Sequence, residues 1–278
     1  MIRMTIAELA QLELGALHVR RGATAISGVA IDSRRVGDGD LFVAAGAAGG
    51  SYVTDALERG AAAALTPDDE HGALAALGRH VRDRLGARVV AITGSVGKTT
   101  TKDIVAALCA PHLRTVAAEA SYNNELGVPL TLCRADESTD LVILELGMRG
   151  LGQVAELCEI AQPHVGVITS IGPAHLELVG SVDDVAAGKG ELLAYLPPDG
   201  SAVIPAQERL LDPFVAACRA RVLAVGKGGD VVLVGERRSG DETEVEVKVE
   251  GKTLNLRFNV TGRHNVENAL TAVAICAA

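Results

Sequence analysis

Short apolar runs alternate with helical patterns along most of the chain. The run at residues 89–93 is β-branched, ends at a glycine and precedes a helical pattern over 98–108. Two further apolar runs, 141–146 and 165–170, lie on either side of a helical segment at 154–160. Runs without polar alternation are typical of strands buried on both faces of a parallel sheet. The pattern therefore predicts an α/β fold built on a doubly wound, P-loop-type sheet.

The N-terminal part of the chain has a different residue pattern. It predicts a helix at 54–59 and a strand at 61–65, and the charged helical stretch 79–84 comes just before the first long apolar run. We place a domain boundary at this stretch. The chain then consists of a small α/β domain, residues 1–84, and a central domain, residues 85–278.

Strict alternation appears late in the chain. Residues 244–249 and 254–260 alternate polar and apolar positions around a Glu-Gly-Lys turn, which predicts an exposed antiparallel hairpin added to the central domain. Its charges are those expected of the solvated face of a half-buried sheet. A helix is predicted to follow over 266–278.

Composition excludes several function classes. Hydrophobic residues make up 48% of the chain and aromatic residues 2%, so a large aliphatic core is expected. A net charge of -9 argues against a broad nucleic-acid or anionic membrane surface, since both need clustered Lys and Arg. We expect no nucleic-acid partner, no membrane insertion and a cytoplasmic location, because neither a signal peptide nor a membrane span is evident. The five cysteines are widely spaced, which favours neither a zinc site nor a disulfide framework.

The strongest local signal is the segment 93–101, Thr-Gly-Ser-Val-Gly-Lys-Thr-Thr-Thr, between a predicted strand and a predicted helix. Glycines let backbone N–H groups approach phosphate oxygens, a lysine adds positive charge, and a threonine hydroxyl can bind magnesium. Ile92 stands where the longer G-x-x-x-x-G-K-[ST] form has its first glycine, so the loop is shortened. The candidate phosphate-binding residues are Gly94, Ser95, Val96, Gly97, Lys98, Thr99 and Thr100.

Polar residues at the ends of other predicted strands could complete this site. Glu145 follows four apolar residues and is a candidate magnesium ligand, either directly or through water. His175 follows the run 165–170, although a lone histidine is more often structural than catalytic. On sequence alone Lys189 would be an ordinary lysine on a helix surface. A P-loop by itself leaves kinase, GTPase and ligase open.

The chain resembles the Mur ligases in the order and spacing of several segments. These are residues 93–101, 121–129, 145–150, 174–177, 189–191 and 262–268. Within the family, segments 123–129 and 145–150 look most like the ligases that add D-alanyl-D-alanine to UDP-N-acetylmuramoyl-tripeptide. The resemblance implies a monomer that uses ATP and Mg²⁺ to make an acyl phosphate, which the amine of D-alanyl-D-alanine then attacks.

The resemblance also implies roles for individual residues. Lys98, Glu145, His175 and Lys189 would be catalytic. Thr99 and Glu145 would hold one magnesium ion, and His175 with a carbamylated Lys189 would serve a second. Further residues are implied as ligand contacts: Asn265 and Asn268 for adenine, and Asp32, Ser33, Arg34, Asn123 and Asn124 for the UDP-linked substrate.

The chain departs from the family at some positions. Residues 49–51 read Gly-Gly-Ser where Asp-Gly-His is usual, Gln153 stands where an acidic residue is common, and Asp38 stands where proline is common. The family implies a third, Rossmann-like domain after the last predicted helix, and we expect this chain to lack it. Two alternatives follow: a related ligase, of the kind that adds the preceding residue or of the folylpolyglutamate kind, or a nucleotide-binding fragment without turnover.

Overall fold

The computed structural model describes residues 1–173, 180–240, 242–258 and 262–278. These form two compact units, the first from residues 1–87 and 125–139 and the second from residues 88–124 and 140–278. The segment 125–139, predicted to lie in the central domain, groups with the N-terminal residues. The first boundary falls three residues after the predicted one.

The strands are β1 (Met4–Thr5), β2 (Gly15–Val19), β3 (Ala25–Ile26), β4 (Gly28–Ala30), β5 (Asp40–Val43), β6 (Ala63–Pro67), β7 (Arg88–Thr93), β8 (Thr115–Ala117), β9 (Leu141–Glu145), β10 (Val165–Ile168), β11 (Ser201–Pro205), β12 (Arg221–Val225), β13 (Val231–Ser239), β14 (Glu242–Val249) and β15 (Lys252–Phe258). The α-helices are α1 (Ile6–Gln11), α2 (Val53–Glu58), α3 (Glu70–Arg84), α4 (Lys98–Cys109), α5 (Gly127–Leu132), α6 (Gln153–Ala161), α7 (Val182–Ala194), α8 (Asp212–Ala217) and α9 (Arg263–Ala277).

The first unit is built on a four-stranded sheet in the order β2-β6-β5-β4. Strands β4, β5 and β6 are parallel, and β2 is antiparallel to β6. Helix α5 belongs to this unit because each of its six residues is buried and it packs against α3. Burial on every side makes α5 part of this unit's core rather than a surface helix. The predicted helix at 54–59 and strand at 61–65 are present, displaced by one or two residues.

The second unit is built on a nine-stranded sheet in the order β15-β14-β13-β12-β11-β10-β7-β9-β8. From β8 to β13 neighbouring strands are parallel, and β13, β14 and β15 are antiparallel. The three apolar runs recognised in the sequence are the central strands β7, β9 and β10, and all five residues of β9 are buried. The predicted doubly wound α/β class is confirmed.

Helices cover both faces of this sheet. Residues of α4 and α9 share one apolar cluster with Val165 and Val167 of β10. Gly166, between those two valines, points to the opposite face, where a Cβ atom would lie 3.0 Å from Leu192 Cγ of α7. The alternation along one strand therefore places α4 and α9 on one side and α7 on the other.

The predicted hairpin is present as β14 and β15, with residues 259–260 outside the described part of the chain. The hairpin is added to the sheet of the second unit, with one face exposed and the other buried. Strand β14 also pairs with β13, and its Val245, Val247 and Val249 are buried beneath α9. The polar residues between these valines face outward, as the alternation indicated.

Candidate functional site

The candidate residues of the second unit lie at one edge of its sheet. Strands β10, β7 and β9 are parallel neighbours, so their carboxyl ends lie side by side. The glycine-rich loop 94–97 follows β7, Glu145 ends β9, and Thr169 and Ser170 follow β10. Ligands of open α/β sheets bind outside the carboxyl ends of the strands, which makes this edge the candidate site.

Two glycines in the loop are required by geometry. Gly94 has φ +147° and Gly97 has φ +88°, values that residues with a side chain rarely adopt. A Cβ atom on Gly94 would lie 1.9 Å from Thr169 Oγ1, and one on Gly97 would lie 2.4 Å from Asn268 Oδ1. The loop therefore passes close to two neighbouring side chains before α4 begins at Lys98.

Residues after β10 hold the loop in place. The Ser95 N–H donates to the Ser170 carbonyl at 3.0 Å, and the Val96 N–H donates to Ser170 Oγ at 3.0 Å. Thr169 Oγ1 donates to the Val96 carbonyl at 2.6 Å. Thr169 and Ser170 were not among the site residues predicted from the sequence. Their position at the end of an apolar run, as with Glu145, was the available signal.

Lys98 opens helix α4 and curls back over the loop. Its Nζ donates to the Gly94 carbonyl at 2.8 Å. Burial lowers the pKa of this ammonium below its usual value, and the negative charge of Glu145 partly offsets that effect. The side chain is thus held across the glycine-rich loop by its contact with the Gly94 carbonyl, which an anionic ligand could replace.

Glu145 is 1% exposed, and both carboxylate oxygens accept hydrogen bonds. Thr99 Oγ1 donates to Oε2 at 2.9 Å, and Asn123 Nδ2 donates to Oε1 at 2.9 Å. Asn123, which the resemblance implied as a substrate contact, therefore lies beside Glu145. A further contact joins the same segments, because the Gly147 N–H donates to the Asn123 carbonyl at 2.7 Å.

These donors fit a magnesium ion that shares its coordination with phosphate oxygens. Mg²⁺ is usually bound by one or two carboxylates together with substrate phosphates and water, rather than by a complete protein cage. Glu145 and the Thr99 hydroxyl supply hard oxygen atoms of that kind beside the glycine-rich loop. Among the described residues, no group of three or more His, Cys, Asp or Glu side chains could hold a metal ion by itself.

Lys189 lies in α7 and is 3% exposed, so it is not the surface lysine that its sequence context alone suggested. Burial, followed by the nearby charge of Lys98, lowers its pKa to about 8. The two lysines are thus close enough for their charges to repel each other. His175, the remaining candidate, falls within residues 174–179, which lie outside the described part of the chain.

Asn265 and Asn268 lie near the start of α9, which packs against α4. The Asn268 side chain is next to the loop, with its Oδ1 3.5 Å from Thr101 Oγ1 and directly over Gly97. Asn265 lies one helical turn earlier on the same helix. The structure thus brings Asn268 to the glycine-rich loop from a position far along the chain.

Asp32, Ser33 and Arg34 lie in the first unit, just after the carboxyl end of β4. Asp32 accepts hydrogen bonds from the Arg34 N–H, Nε and Nη2 at 3.0, 2.9 and 2.8 Å. The Arg34 side chain and N–H hold the pKa of Asp32 at about 2. Ser33 is buried, and Asp55 accepts a hydrogen bond from it. Asp32 thus caps the short helical turn that contains Ser33 and Arg34.

Comparison with known proteins identifies the family of this chain. The model of the Mur ligase middle domain matches residues 92–276. The chain belongs to the Mur ligase family.

Individual relatives show which members of the family this chain resembles. The chain is 32% identical to the UDP-N-acetylmuramoyl-tripeptide–D-alanyl-D-alanine ligase of Bacillus subtilis strain 168, over 99% of this chain and 64% of that protein. It resembles a crystal structure of MurF from Acinetobacter baumannii with a TM-score of 0.86 and 28% identity, over 99% of this chain and 65% of that one. It also resembles the MurF ligase of Thermotoga maritima in complex with ADP, with a TM-score of 0.78 and 25% identity, over 90% of this chain and 62% of that one.

The chain therefore spans about 64% of the length of the Bacillus subtilis relative. Across the residues that the structure describes, no helix is both long and apolar enough to cross a membrane.

Proposed function

We propose that this chain carries the ATP-binding and UDP-substrate-binding parts of a ligase that joins D-alanyl-D-alanine to UDP-N-acetylmuramoyl-tripeptide. The observation that carries the proposal is the contact of Glu145 with Thr99 and Asn123 beside Lys98 and the glycine-rich loop. The names of the relatives support the choice of substrates, and the ADP complex of one relative supports the choice of nucleotide. We propose a cytoplasmic location, because the proposed reaction uses ATP and a UDP-sugar.

The reaction has an electrostatic difficulty that this site can address. A carboxylate is a poor electrophile, and it must approach the anionic γ-phosphate before phosphoryl transfer can begin. Lys98 would bind the phosphates together with those N–H groups of the loop that do not donate to Ser170, and Thr99 with Glu145 would hold Mg²⁺ beside them. When bound, the metal supplies positive charge that neutralises phosphate oxygens. Transfer of the γ-phosphoryl group to the carboxylate releases ADP and gives an acyl phosphate. The amine of D-alanyl-D-alanine then attacks the acyl carbon, loses a proton and displaces phosphate, which forms the amide.

The burial of Lys189 determines how its charge would act in this site. As a buried ammonium beside Lys98 it would repel any cation bound at this edge of the sheet. We infer that it acts as a carbamate, as the resemblance implies, because this modification reverses its charge and supplies the oxygen ligands that magnesium prefers. His175 would serve the same second metal.

The remaining candidate residues would contact either ATP or the UDP-linked substrate. Asn268, next to Gly97, and Asn265 on the same helix would contact the adenine end of the nucleotide. Asp32, Ser33 and Arg34 in the first unit would bind the uridine nucleotide, with Asp32 and Arg34 already paired to each other. Asn123 would hold Glu145 in position, and Asn124 beside it would contact the UDP-linked substrate.

The test is ATP- and Mg²⁺-dependent phosphate release with UDP-N-acetylmuramoyl-tripeptide and D-alanyl-D-alanine, measured for this chain and for Lys98→Ala. Release that needs both substrates and Lys98 supports the proposal. A panel of single amino acids, D-alanyl-D-alanine and glutamate as acceptors distinguishes it from ligases that add the preceding residue or polyglutamate. Binding of ATP without release under any acceptor would limit this chain to nucleotide binding.

A further inference from the structure

We propose that Lys102 positions the magnesium ligand Glu145 by fixing the loop that carries Asn123. The inference rests on the proposed magnesium-nucleotide site and adds a residue that does not itself touch the nucleotide or the metal. Lys102 lies in α4, one helical turn after Lys98. A single helix would therefore present the phosphate-binding lysine at its start and a lysine that organises the metal site one turn later.

The Lys102 ammonium is buried and directed at main-chain carbonyls. The residue is 3% exposed, and its Nζ donates to the Ala118 carbonyl at 2.7 Å and to the Ala120 carbonyl at 3.3 Å. Asp103 Oδ1 lies 3.1 Å from the same nitrogen, although the Asp103 side chain is 66% exposed. A lysine is almost never this buried unless its charge is paired and its protons are donated, and these contacts satisfy both needs.

The loop that Lys102 contacts follows β8 and contains a residue in an unfavourable backbone conformation. The Ala118 N–H still donates to the Ile143 carbonyl of β9 at 2.9 Å, so the loop begins in register with the sheet. Ala120 then has φ +46°, a left-handed conformation that residues other than glycine seldom adopt. Such a conformation persists only where surrounding contacts enforce it, and the Lys102 contact with the Ala120 carbonyl is one of them.

The far end of the same loop orients the metal ligand. Asn123 donates to Glu145 Oε1 at 2.9 Å, and its carbonyl accepts from the Gly147 N–H at 2.7 Å. A Cβ atom on Gly147 would lie 2.8 Å from Asn123 Oδ1, so this close approach of the amide to the Gly147 main chain requires a glycine. The direction of the Glu145 carboxylate thus depends on the path of the loop, and Lys102 fixes that path in its first half.

Removing the Lys102 charge should act on magnesium binding in particular. Without the ammonium, the carbonyls of Ala118 and Ala120 lose their donor, and the left-handed turn loses a contact that supports it. Asn123 would then hold Glu145 less well. Residues that orient metal ligands typically contribute about 10- to 100-fold to metal affinity. Because Lys102 acts through an intervening loop, we expect an effect of about tenfold, at the lower end of that range.

The experiment measures ATP affinity of the intact chain by calorimetry, once with Mg²⁺ and once with EDTA. The ratio of the two affinities is the magnesium-linked gain. We expect Lys102→Met, which keeps the aliphatic stem but not the donors, to reduce this gain by about tenfold and to leave the EDTA affinity within about twofold of wild type. Lys102→Gln, which retains an amide donor and perturbs folding less, should give an intermediate loss.

Two controls separate positioning from stability. Asp103→Asn removes the exposed carboxylate next to Lys102 and should keep the wild-type gain. Thermal unfolding of each variant is recorded in parallel. A lowered unfolding temperature together with a wild-type magnesium-linked gain, in either Lys102 variant, would make Lys102 purely structural and overturn the inference. A wild-type chain whose ATP affinity is insensitive to magnesium would overturn the proposed site itself, which is a separate result.

Discussion

Gly97 and Gly152 offer a matched pair for testing the geometry of the phosphate-binding loop. Both residues precede a helix, α4 and α6 respectively, and their φ angles are +88° and +87°. They differ in their surroundings. A Cβ atom on Gly97 would lie 2.4 Å from Asn268 Oδ1, whereas one on Gly152 would have nothing within 4 Å.

The expected effects of alanine follow from this difference. At either position the left-handed backbone costs about 1–2 kcal/mol for a residue with a side chain. Gly97→Ala must in addition push the Asn268 amide out of its place, which costs about 0.5–1.5 kcal/mol for an off-rotamer side chain. We therefore expect Gly152→Ala to lower the free energy of unfolding by about 1–2 kcal/mol and Gly97→Ala by about 1.5–3.5 kcal/mol.

Nucleotide binding should separate the two variants more clearly. Gly97→Ala displaces a proposed adenine contact and distorts the loop, so ATP should bind at least about tenfold more weakly, equivalent to about 1.4 kcal/mol. Gly152→Ala should leave ATP affinity near that of wild type. The assays are calorimetric titration with ATP and thermal unfolding followed by circular dichroism. Equal ATP affinities for the two variants would refute the idea that the Gly97–Asn268 contact shapes the nucleotide site.

Two further predictions concern hydrogen bonds to carboxylates. Thr99→Val removes the donor 2.9 Å from Glu145 Oε2, and we expect a loss of about 2 kcal/mol in unfolding free energy, as for a hydrogen bond to a charged group. The control is Thr100→Val, because the Thr100 hydroxyl makes no hydrogen bond within the described residues; equal unfolding temperatures would contradict the expectation. Arg34→Gln should raise the pKa of Asp32 from about 2 towards 3.8. The lowered pKa of Asp32 stabilises the fold at pH values above its ordinary pKa of 3.8, and this contribution is lost as pH falls through about 2. The variant should therefore lose the Asp32 cap at a higher pH than wild type does. Carbon chemical shifts of the Asp32 carboxyl group, followed by NMR against pH, measure this directly, and an unchanged midpoint would rule out Arg34 as the main cause.

The central strands of the second unit could be predicted because they are buried on both faces. A strand such as Leu141–Glu145 needs an apolar side chain at nearly every position, and such an apolar run can be recognised in the sequence. The polar residue that ends such a run stands out for the same reason, which is how Glu145 was recognised. Strand β13 was missed because its second half, Gly235–Ser239, is mostly exposed and charged and its pairing with β14 includes a register shift.

Other features depend on contacts between residues far apart in sequence. No local pattern reports that Asn123 donates to Glu145, or that Asn268 comes to lie over Gly97. Helix α5 is too short for periodicity to distinguish it from a strand, and only its packing on α3 assigns it to the first unit. The burial of Lys102 and Lys189 is likewise a property of the packed structure, since lysine in a helix is ordinarily exposed.

The hydrogen bonds that tie the glycine-rich loop to Thr169 and Ser170 have a consequence for the energetics of recognition. A loop that must be ordered by its ligand loses conformational entropy on binding, and this loss weakens the affinity. Here the residues that follow β10 have already shaped the loop before any ligand arrives, so that entropy is lost during folding instead. An arriving triphosphate therefore meets a preorganised surface, and most of the favourable energy of its contacts remains available for holding it.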